Sequence, residues 1–360
     1  MVCRCRCDGV RLGIFQTRQP GAFLIVMRIL QIANYSEAGG GISVQVKMLQ
    51  DKIIGEGLVC DVISTKGSLF KRAKSILRLI SVGRKYDVFH VHACSGTGFF
   101  PAVVGITIGR LFRKRVVLTY HGGGAEAFFE KRYRFIKYFL SHTNANIVLS
   151  GFIGNVFERY QIPYTVIPNI VDLGSEHYRK RKVIAPTFIS TRALEETYNV
   201  GLTIRAFQIV HQKYPEARLT VVGDGSQREH LEAYVKEHNI SGVFFTGHVK
   251  NDSIYDYLGR SDIFVSSSKV DNMPVSVLEA INAGLLIIAS RVGGVPFIIE
   301  DKEDGLLFTP DNEQDLADKM IWAIENQTDS IRMIQRASKE IKQYSWESVK
   351  NKLFPIYRYE

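Results

Sequence analysis

From Met27 onward, short apolar runs alternate with stretches in which apolar residues recur every three to four positions. Runs of four to six residues rich in Val, Ile and Phe are too short for helices and predict strands buried on both faces. In the first half these are Ile29 to Ala33, Asp87 to His92, Val116 to Tyr120, Asn146 to Ser150 and Tyr164 to Ile167. After the first of them, Ile42, Val46, Leu49 and Ile53 form one helical stripe. A second series begins after the polar and basic stretch Ser175 to Lys182. Its predicted strands are Thr187 to Ser190, Arg218 to Val222, Val243 to Thr246, Asp262 to Ser266, Leu285 to Ala289 and Leu306 to Phe308. From Asp311 the pattern is helical, through Leu316, Met320 and Ile324 to Trp346, Val349 and Leu353.

Two consecutive alternating series predict an α/β protein with two Rossmann-like domains, joined near Pro168 to Lys182. The expected boundaries are 27–174 for the first domain, 175–340 for the second, and 341–360 for a last helix with room to cross back to the first. Residues 1–26 show no period and are expected to be an extension outside the fold, disordered or begun at an upstream start codon. Arg28 interrupts the apolar run Ala22 to Ile32, which argues against a signal peptide. No run reaches the eighteen or so apolar residues of a spanning helix. A cytoplasmic location is therefore expected.

Charge sharpens the picture because it is uneven. The formal net charge is +10, of which residues 1–176 carry +12 and the rest −2. Lys71, Arg72, Lys74 and Arg78, then Arg110, Arg113, Lys114 and Arg115, then Lys131, Arg132 and Arg134 are interleaved with Phe70, Leu77, Leu111, Phe135 and Tyr138. Such a face is either merely solvated or meets an anionic surface, and the interleaving favours a peripheral contact with a membrane's inner face. No zinc-finger, RNP or helix-turn-helix signature accompanies it, so nucleic acid is not an expected partner. Of five cysteines, Cys60 and Cys94 sit singly among apolar residues, as reduced structural cysteines do. Cys3, Cys5 and Cys7 lack the spacing of a metal site.

In open α/β sheets ligands gather at the carboxyl ends of the strands, and the chemistry-bearing residues fall there. Gly39, Gly40 and Gly41 precede the first helix, as a tight turn or as bare amides for a phosphate or sugar. The spacing is neither a P-loop nor a G-x-G-x-x-G fingerprint. His121 follows a strand and precedes Gly122 to Gly124, where an imidazole is either structural or hydrogen-bonds a sugar hydroxyl. His90 and His92 alternate within a strand and read as core or supporting residues. The stretch Ser266 to Gly284 runs from a strand end through a Pro-containing loop with Asp271 into a helix holding Glu279. Amides at that helix start suit a diphosphate, and an ionised Glu279 can accept hydrogen bonds from two ribose hydroxyls.

With these residues in place, the chain from Met27 to about Tyr357 resembles the family 4 retaining glycosyltransferases of GT-B fold, two Rossmann-like domains facing each other across a cleft. The resemblance rests on ordered motifs: the glycine loop, Thr119 to Gly122, PNIVD at Pro168 to Asp172, VVGDG at Val221 to Gly225 and FTGHV at Phe245 to Val249. It continues through the acidic pair, SRVGGVP at Ser290 to Pro296 and DGLLF at Asp304 to Phe308. It implies a nucleotide-sugar donor as substrate, no cofactor, and a lipid-linked or polysaccharide acceptor in cell-surface glycan synthesis. Carried over, it implies that Glu279 holds the donor ribose and Arg192 the diphosphate. Amides around Met273, Pro274, Val275 and Ser276 would meet the donor's sugar and phosphates, and Gly247 to Val249 would border the base. His121 would face the transferred sugar, with His121, Asp271 and Arg192 as the catalytic set and the Gly39 to Gly41 loop contributing from the opposite domain. No D-x-D element follows a strand, so no metal site is expected. The resemblance further implies front-face attack with the departing phosphate as base.

Two departures stand out. Asp271 replaces the family's usual Glu, and Tyr198 and Asn199 stand where a Lys-Gly pair is common, which removes a cation from the diphosphate site. That loss keeps open a non-catalytic GT-B subunit that binds a nucleotide sugar or partner, and the fold also admits a nucleotide-sugar epimerase, which suits the DNMPVSVLEA loop less well.

Overall fold

The computed structural model describes residues 27–37, 40–250 and 253–358; the N-terminal extension and Gly39 lie outside them. Two six-stranded parallel sheets are each flanked by helices, the α/β GT-B arrangement of two Rossmann-like domains. The first contains β1 (Arg28–Ala33), β2 (Val59–Ser64), β3 (Val88–Ala93), β4 (Arg115–Tyr120), β5 (Ala145–Val148) and β6 (Thr165–Val166), in the order β2-β1-β3-β4-β5-β6. Helices α1 (Gly41–Gly55), α2 (Leu69–Val82), α3 (Phe100–Leu111), α4 (Ala125–Leu140) and α5 (Gly151–Arg159) connect them. The second sheet contains β7 (Thr187–Thr191), β8 (Arg218–Val222), β9 (Val243–Gly247), β10 (Ile263–Ser266), β11 (Leu286–Ser290) and β12 (Leu306–Phe308), in the order β12-β11-β10-β7-β8-β9. Its helices are α6 (Val200–Lys213), α7 (Arg228–Glu237), α8 (Ile254–Leu258) and α9 (Val275–Asn282), followed by α10 (Glu313–Glu325) and α11 (Gln327–Glu340).

The central strands are buried throughout, as β3 and β11 show, because helices cover both faces. β2 was not among the predicted strands. It is an edge strand in which only Cys60 and Ile63 are buried, so its apolar signal is weak, and pairing with β1 from Arg28↔Val59 to Ala33↔Ser64 defines it.

Both sheets change direction where the site lies. In the first, the order reverses between β1 and β3, and in the second between β7 and β10. At such a switch point neighbouring connections leave to opposite sides and open a crevice. The glycine loop follows β1, Arg192 follows β7, and the stretch holding Asp271 follows β10.

The last helix, α12 (Trp346–Tyr357), is capped by Ser345, which accepts from the Ser348 amide. Its Trp346, Val349, Leu353 and Tyr357 are buried against Ile29, Val88, Val117 and Ile147 of the first sheet. This helix thus packs on the first domain although it follows the second in sequence. Among the described residues no helix is long and apolar enough to cross a membrane.

Candidate active site

A cleft of about 920 Å³ lies between the two sheets. From the first domain Gly40, Gly41 and His121 line it; from the second come Arg192, Val249, Asp271, Met273 to Ser276 and Glu279. The structure thus brings one predicted set together from strand ends far apart in sequence. Gly247 stands at the end of β9 beside this wall with φ +73°, and a Cβ there would meet the Arg228 guanidinium at 2.8 Å. Gly40 is the N-cap of α1 with φ 103°, a conformation open to glycine but strained for other residues. Among the described residues no side chain caps α1, and its first turn holds no acidic residue, so its leading amides border the cleft uncompensated.

On the opposite wall α9 also starts without a side-chain cap, at Pro274. The Ser276 hydroxyl is buried with no hydrogen-bond partner among the described residues. Free amides and an unsatisfied hydroxyl at a helix N-terminus provide donors for an anion. One turn on, burial pushes the Glu279 carboxyl up to about 7, against the pull of the Arg192 charge.

Arg192 is not a free cation. It pairs with the Asp271 carboxylate, donates to Ser268 Oγ at 3.1 Å, and lies with its guanidinium carbon 4.8 Å from the centre of the Tyr198 ring. Tyr198 stands where the resemblance leads one to expect a lysine. It supplies a π face to the arginine in place of a second charge, a contact worth about 0.5–1 kcal/mol at exposed sites and more when desolvated. Arg192 Nε is buried with no hydrogen-bond partner among the described residues, so the guanidinium keeps unused donor capacity beside the cleft.

The loop holding Asp271 is clamped from both sides. Asp271 Oδ1 accepts from the Asn272 amide at 2.8 Å, and its main-chain oxygen accepts from the Gly294 amide at 2.9 Å. A Cβ on Gly293 would fall 1.9 Å from the Asp271 oxygen, and one on Gly294 1.7 Å from the Asn272 oxygen. The SRVGGVP glycines are therefore the surface on which this loop rests. Gly294→Ala is expected to push the loop away, costing roughly 2 kcal/mol or more in stability and at least tenfold in turnover. Wild-type melting temperature and turnover together would show that the contact relaxes without cost.

Asn272, which sequence reasoning passed over, is the cross-domain tie. Its Oδ1 accepts from Ser150 Oγ at 2.6 Å, and its Nδ2 donates to the main-chain oxygen of His121 at 3.4 Å. Asn169 of the PNIVD stretch donates to the Met273 oxygen at 2.9 Å. Gly123 packs under the same loop, where a Cβ would lie 2.8 Å from Val270. Nothing in the type or spacing of Asn272 announces this role; only its place between Asp271 and Met273 could have drawn attention.

His121 lies at this junction. Its Nε2 is 3.0 Å from His92 Nδ1, and burial pushes its pKa down to about 4, so the ring is neutral near pH 7. His90, stacked on His92 at 4.3 Å, turns instead to Thr119 Oγ1 and the Tyr357 hydroxyl. Cys60 is buried and uses its thiol only as a weak acceptor for Gln31, as a structural cysteine does.

Comparison with known proteins decides the family. Residues 53–175 match the family model "Glycosyltransferase Family 4", and residues 176–340 match "Glycosyl transferases group 1". The chain is a glycosyltransferase of the GT-B group 1 type. The sulfoquinovosyl transferase SQD2 of Arabidopsis thaliana is 31% identical over 157 residues, covering 43% of this chain and 30% of that protein. A subunit of the phosphatidylinositol N-acetylglucosaminyltransferase of the same plant is 30% identical over 200 residues, covering 53% and 43%. The matches thus span less than half of either plant relative. An uncharacterized glycosyltransferase of Methanocaldococcus jannaschii aligns over 90% of this chain and 96% of its own length at 23% identity. In fold, the transferase is similar to HepE of Anabaena, solved with UDP-glucose, with TM-score 0.75, 17% identity, and 91% and 98% of the two chains covered. It is equally similar to the sucrose-phosphate synthase of Thermosynechococcus elongatus, with TM-score 0.76, 17% identity, and 92% and 98% covered.

Proposed function

We propose that this transferase moves a hexosyl unit, with retention at the anomeric carbon, from a nucleoside-diphosphate sugar in the cleft to a lipid-linked or polysaccharide acceptor, working without a catalytic metal. The observation that carries the reading is one wall of the cleft, where the uncapped start of α9, Glu279 and Arg192 converge opposite His121. Glu279 accepts from the ribose hydroxyls, and the amides from Met273 to Ser276 and the open Arg192 donor meet the diphosphate. Gly247 and Val249 border the base, and Gly40 and Gly41 bring α1 amides from the other side. As the bond from the anomeric carbon to phosphate breaks, the acceptor oxygen attacks from the same face and passes its proton to the departing phosphate. Positive charge then develops at the sugar beside the Asp271 carboxylate and the neutral His121 ring, and negative charge on the phosphate beside Arg192. HepE, solved with UDP-glucose, and a relative named for transfer to phosphatidylinositol agree with a nucleotide-sugar donor and a lipid acceptor.

Incubation with a panel of uridine, guanosine and adenosine diphosphate sugars tests the reading. Slow hydrolysis of one donor is expected. Binding without turnover would make the chain a non-catalytic binding protein, and an epimerised donor would make it an epimerase.

The exposed face of α2 supports an acceptor held at a membrane. Leu69 is 83% exposed and Phe70 79%, with Leu77 and Ile80 also outward, among Lys71, Lys74 and Arg78. Arg72 lies over the Phe100 ring at 4.8 Å and is better left intact. Reversing Lys71, Lys74 and Arg78 to Glu is expected to weaken binding to vesicles of anionic phospholipid at least a hundredfold at low salt, since each basic residue at such a surface contributes about 1 kcal/mol. Equal partition of the wild-type protein onto neutral and anionic vesicles would remove the membrane from the proposal.

A further inference from the structure

Gln31 on β1 and His92 on β3 are buried side chains in a chain of hydrogen bonds donated in one direction, from His121 through His92 and Gln31 to the main chain of α1. Gln31 Nε2 lies 3.0 Å from the main-chain oxygen of Val46, an atom that only accepts, so the amide nitrogen must sit there and the amide oxygen must face away. That oxygen, Oε1, is 2.9 Å from His92 Nε2. Since it cannot donate, His92 carries its proton on Nε2. The other ring nitrogen of a neutral His92 is then an acceptor, and it lies 3.0 Å from His121 Nε2. His121 must therefore be protonated on Nε2, with its lone pair on Nδ1. Charging His92 would reverse the last bond, but the ring is buried and stacked on His90 at 4.3 Å, and burial holds all three imidazoles neutral. The backbone of His121 is held as well, through its amide to the Ala93 oxygen at 2.8 Å and its oxygen to Asn272.

We propose that Gln31 and His92 are positioning residues that lock His121 in the Nε2-protonated tautomer, leaving Nδ1 as the ring's one acceptor for a hydroxyl of the transferred sugar. The catalytic half of this inference rests on the reading of the cleft as a donor-sugar site; the tautomer itself does not. It selects a donating hydroxyl on the sugar at that position and disfavours a group that only accepts. It also gives the alternating histidines of VFHVHAC a purpose: His92 faces the relay, and His90 braces it against Thr119 and Tyr357.

The test uses the full chain labelled with ring-¹⁵N histidine, His121 being assigned by loss of its signals in His121→Gln. Long-range proton–nitrogen spectra of the wild-type protein are expected to show His121 protonated on Nε2 and unprotonated on Nδ1; the reverse overturns the proposal without any variant having to fold. Gln31→Met keeps the shape of the side chain and removes Oε1. His121 is then expected to report a mixture of tautomers, with turnover of the donor lowered about tenfold and donor KM changed less than twofold. An unaltered His121 tautomer in folded Gln31→Met overturns the relay, and an altered tautomer with wild-type turnover overturns its catalytic role. Absence of turnover with every donor in wild-type protein sinks the functional reading instead, while the spectra still decide the relay.

Discussion

Asp271→Asn is expected to lower turnover by a factor on the order of 10² to 10³ while leaving donor affinity the same or somewhat tighter. The carboxylate is ion-paired with Arg192, and the two side chains are only 14% and 11% exposed. Asparagine keeps the bond from the Asn272 amide and the main-chain bond to Gly294, so the turn survives. What it loses is the charge that holds the guanidinium in place and offsets positive charge at the anomeric carbon as the glycosidic bond breaks. An uncompensated Arg192 would attract the ground-state diphosphate more strongly, which is why binding should not fall with turnover. Asp271→Glu restores the charge one methylene farther out and is expected to retain much of the activity. If Asp271 acted only as a turn residue, the two variants would lose similar stability and neither would change kinetics much. Turnover, donor affinity and melting temperature of both variants separate these outcomes, and wild-type turnover in the Asn variant would sink the catalytic role.

Glu279→Ala is expected to weaken donor binding by roughly 1.5 to 3 kcal/mol, or about ten- to a hundredfold, with the fold intact. Unchanged donor binding in calorimetry would remove Glu279 from the site. Its titration adds a pH signature. Burial raises the carboxyl from 4.5 to about 7 in the folded protein. Only the ionised form can accept two hydroxyl donors, so donor affinity should improve as pH rises through about 7, and Glu279→Gln should flatten that rise. For stability the sign is the opposite. Below 4.5 the group is protonated in both folded and unfolded chains. Between there and about 7 the unfolded chain ionises while the folded one does not, so stability falls as pH rises and levels off above the folded value. The loss is on the order of 3 to 4 kcal/mol, at about 1.4 kcal/mol per pKa unit. Glu279→Gln should therefore melt higher than wild type at pH 8, with most of the difference gone at pH 5. Parallel melting curves across that range would show that the carboxyl is not strained in the empty cleft.

How much of this was legible in the sequence depends on the range of the interaction. Buried strands such as β3 and β11 announce themselves because a parallel strand covered on both faces must be apolar at every position. The residues of the cleft fell at strand ends because a doubly wound sheet has nowhere else to open one. The ordered motifs led to the family, which the matches over 53–175 and 176–340 bear out. β2 escaped notice because Asp61 and Ser64 break its apolar run, and an edge strand is defined by its neighbour as much as by its own residues.

By itself, then, the sequence determined the α/β alternation, the two Rossmann-like domains and the family, all consequences of local periodicity and short motifs. Tertiary structure alone decided which polar groups meet. Arg192 and Asp271 are 79 residues apart, His92 and Gln31 61, and Asn272 and His121 151. The missing lysine looked like a lost charge until folding laid the Tyr198 ring against Arg192. The physical reason is that a period of two or 3.6 residues records which face of an element is buried. A hydrogen bond between strand ends depends instead on how the strands are ordered in the sheet and how one sheet faces the other, and no local pattern encodes either.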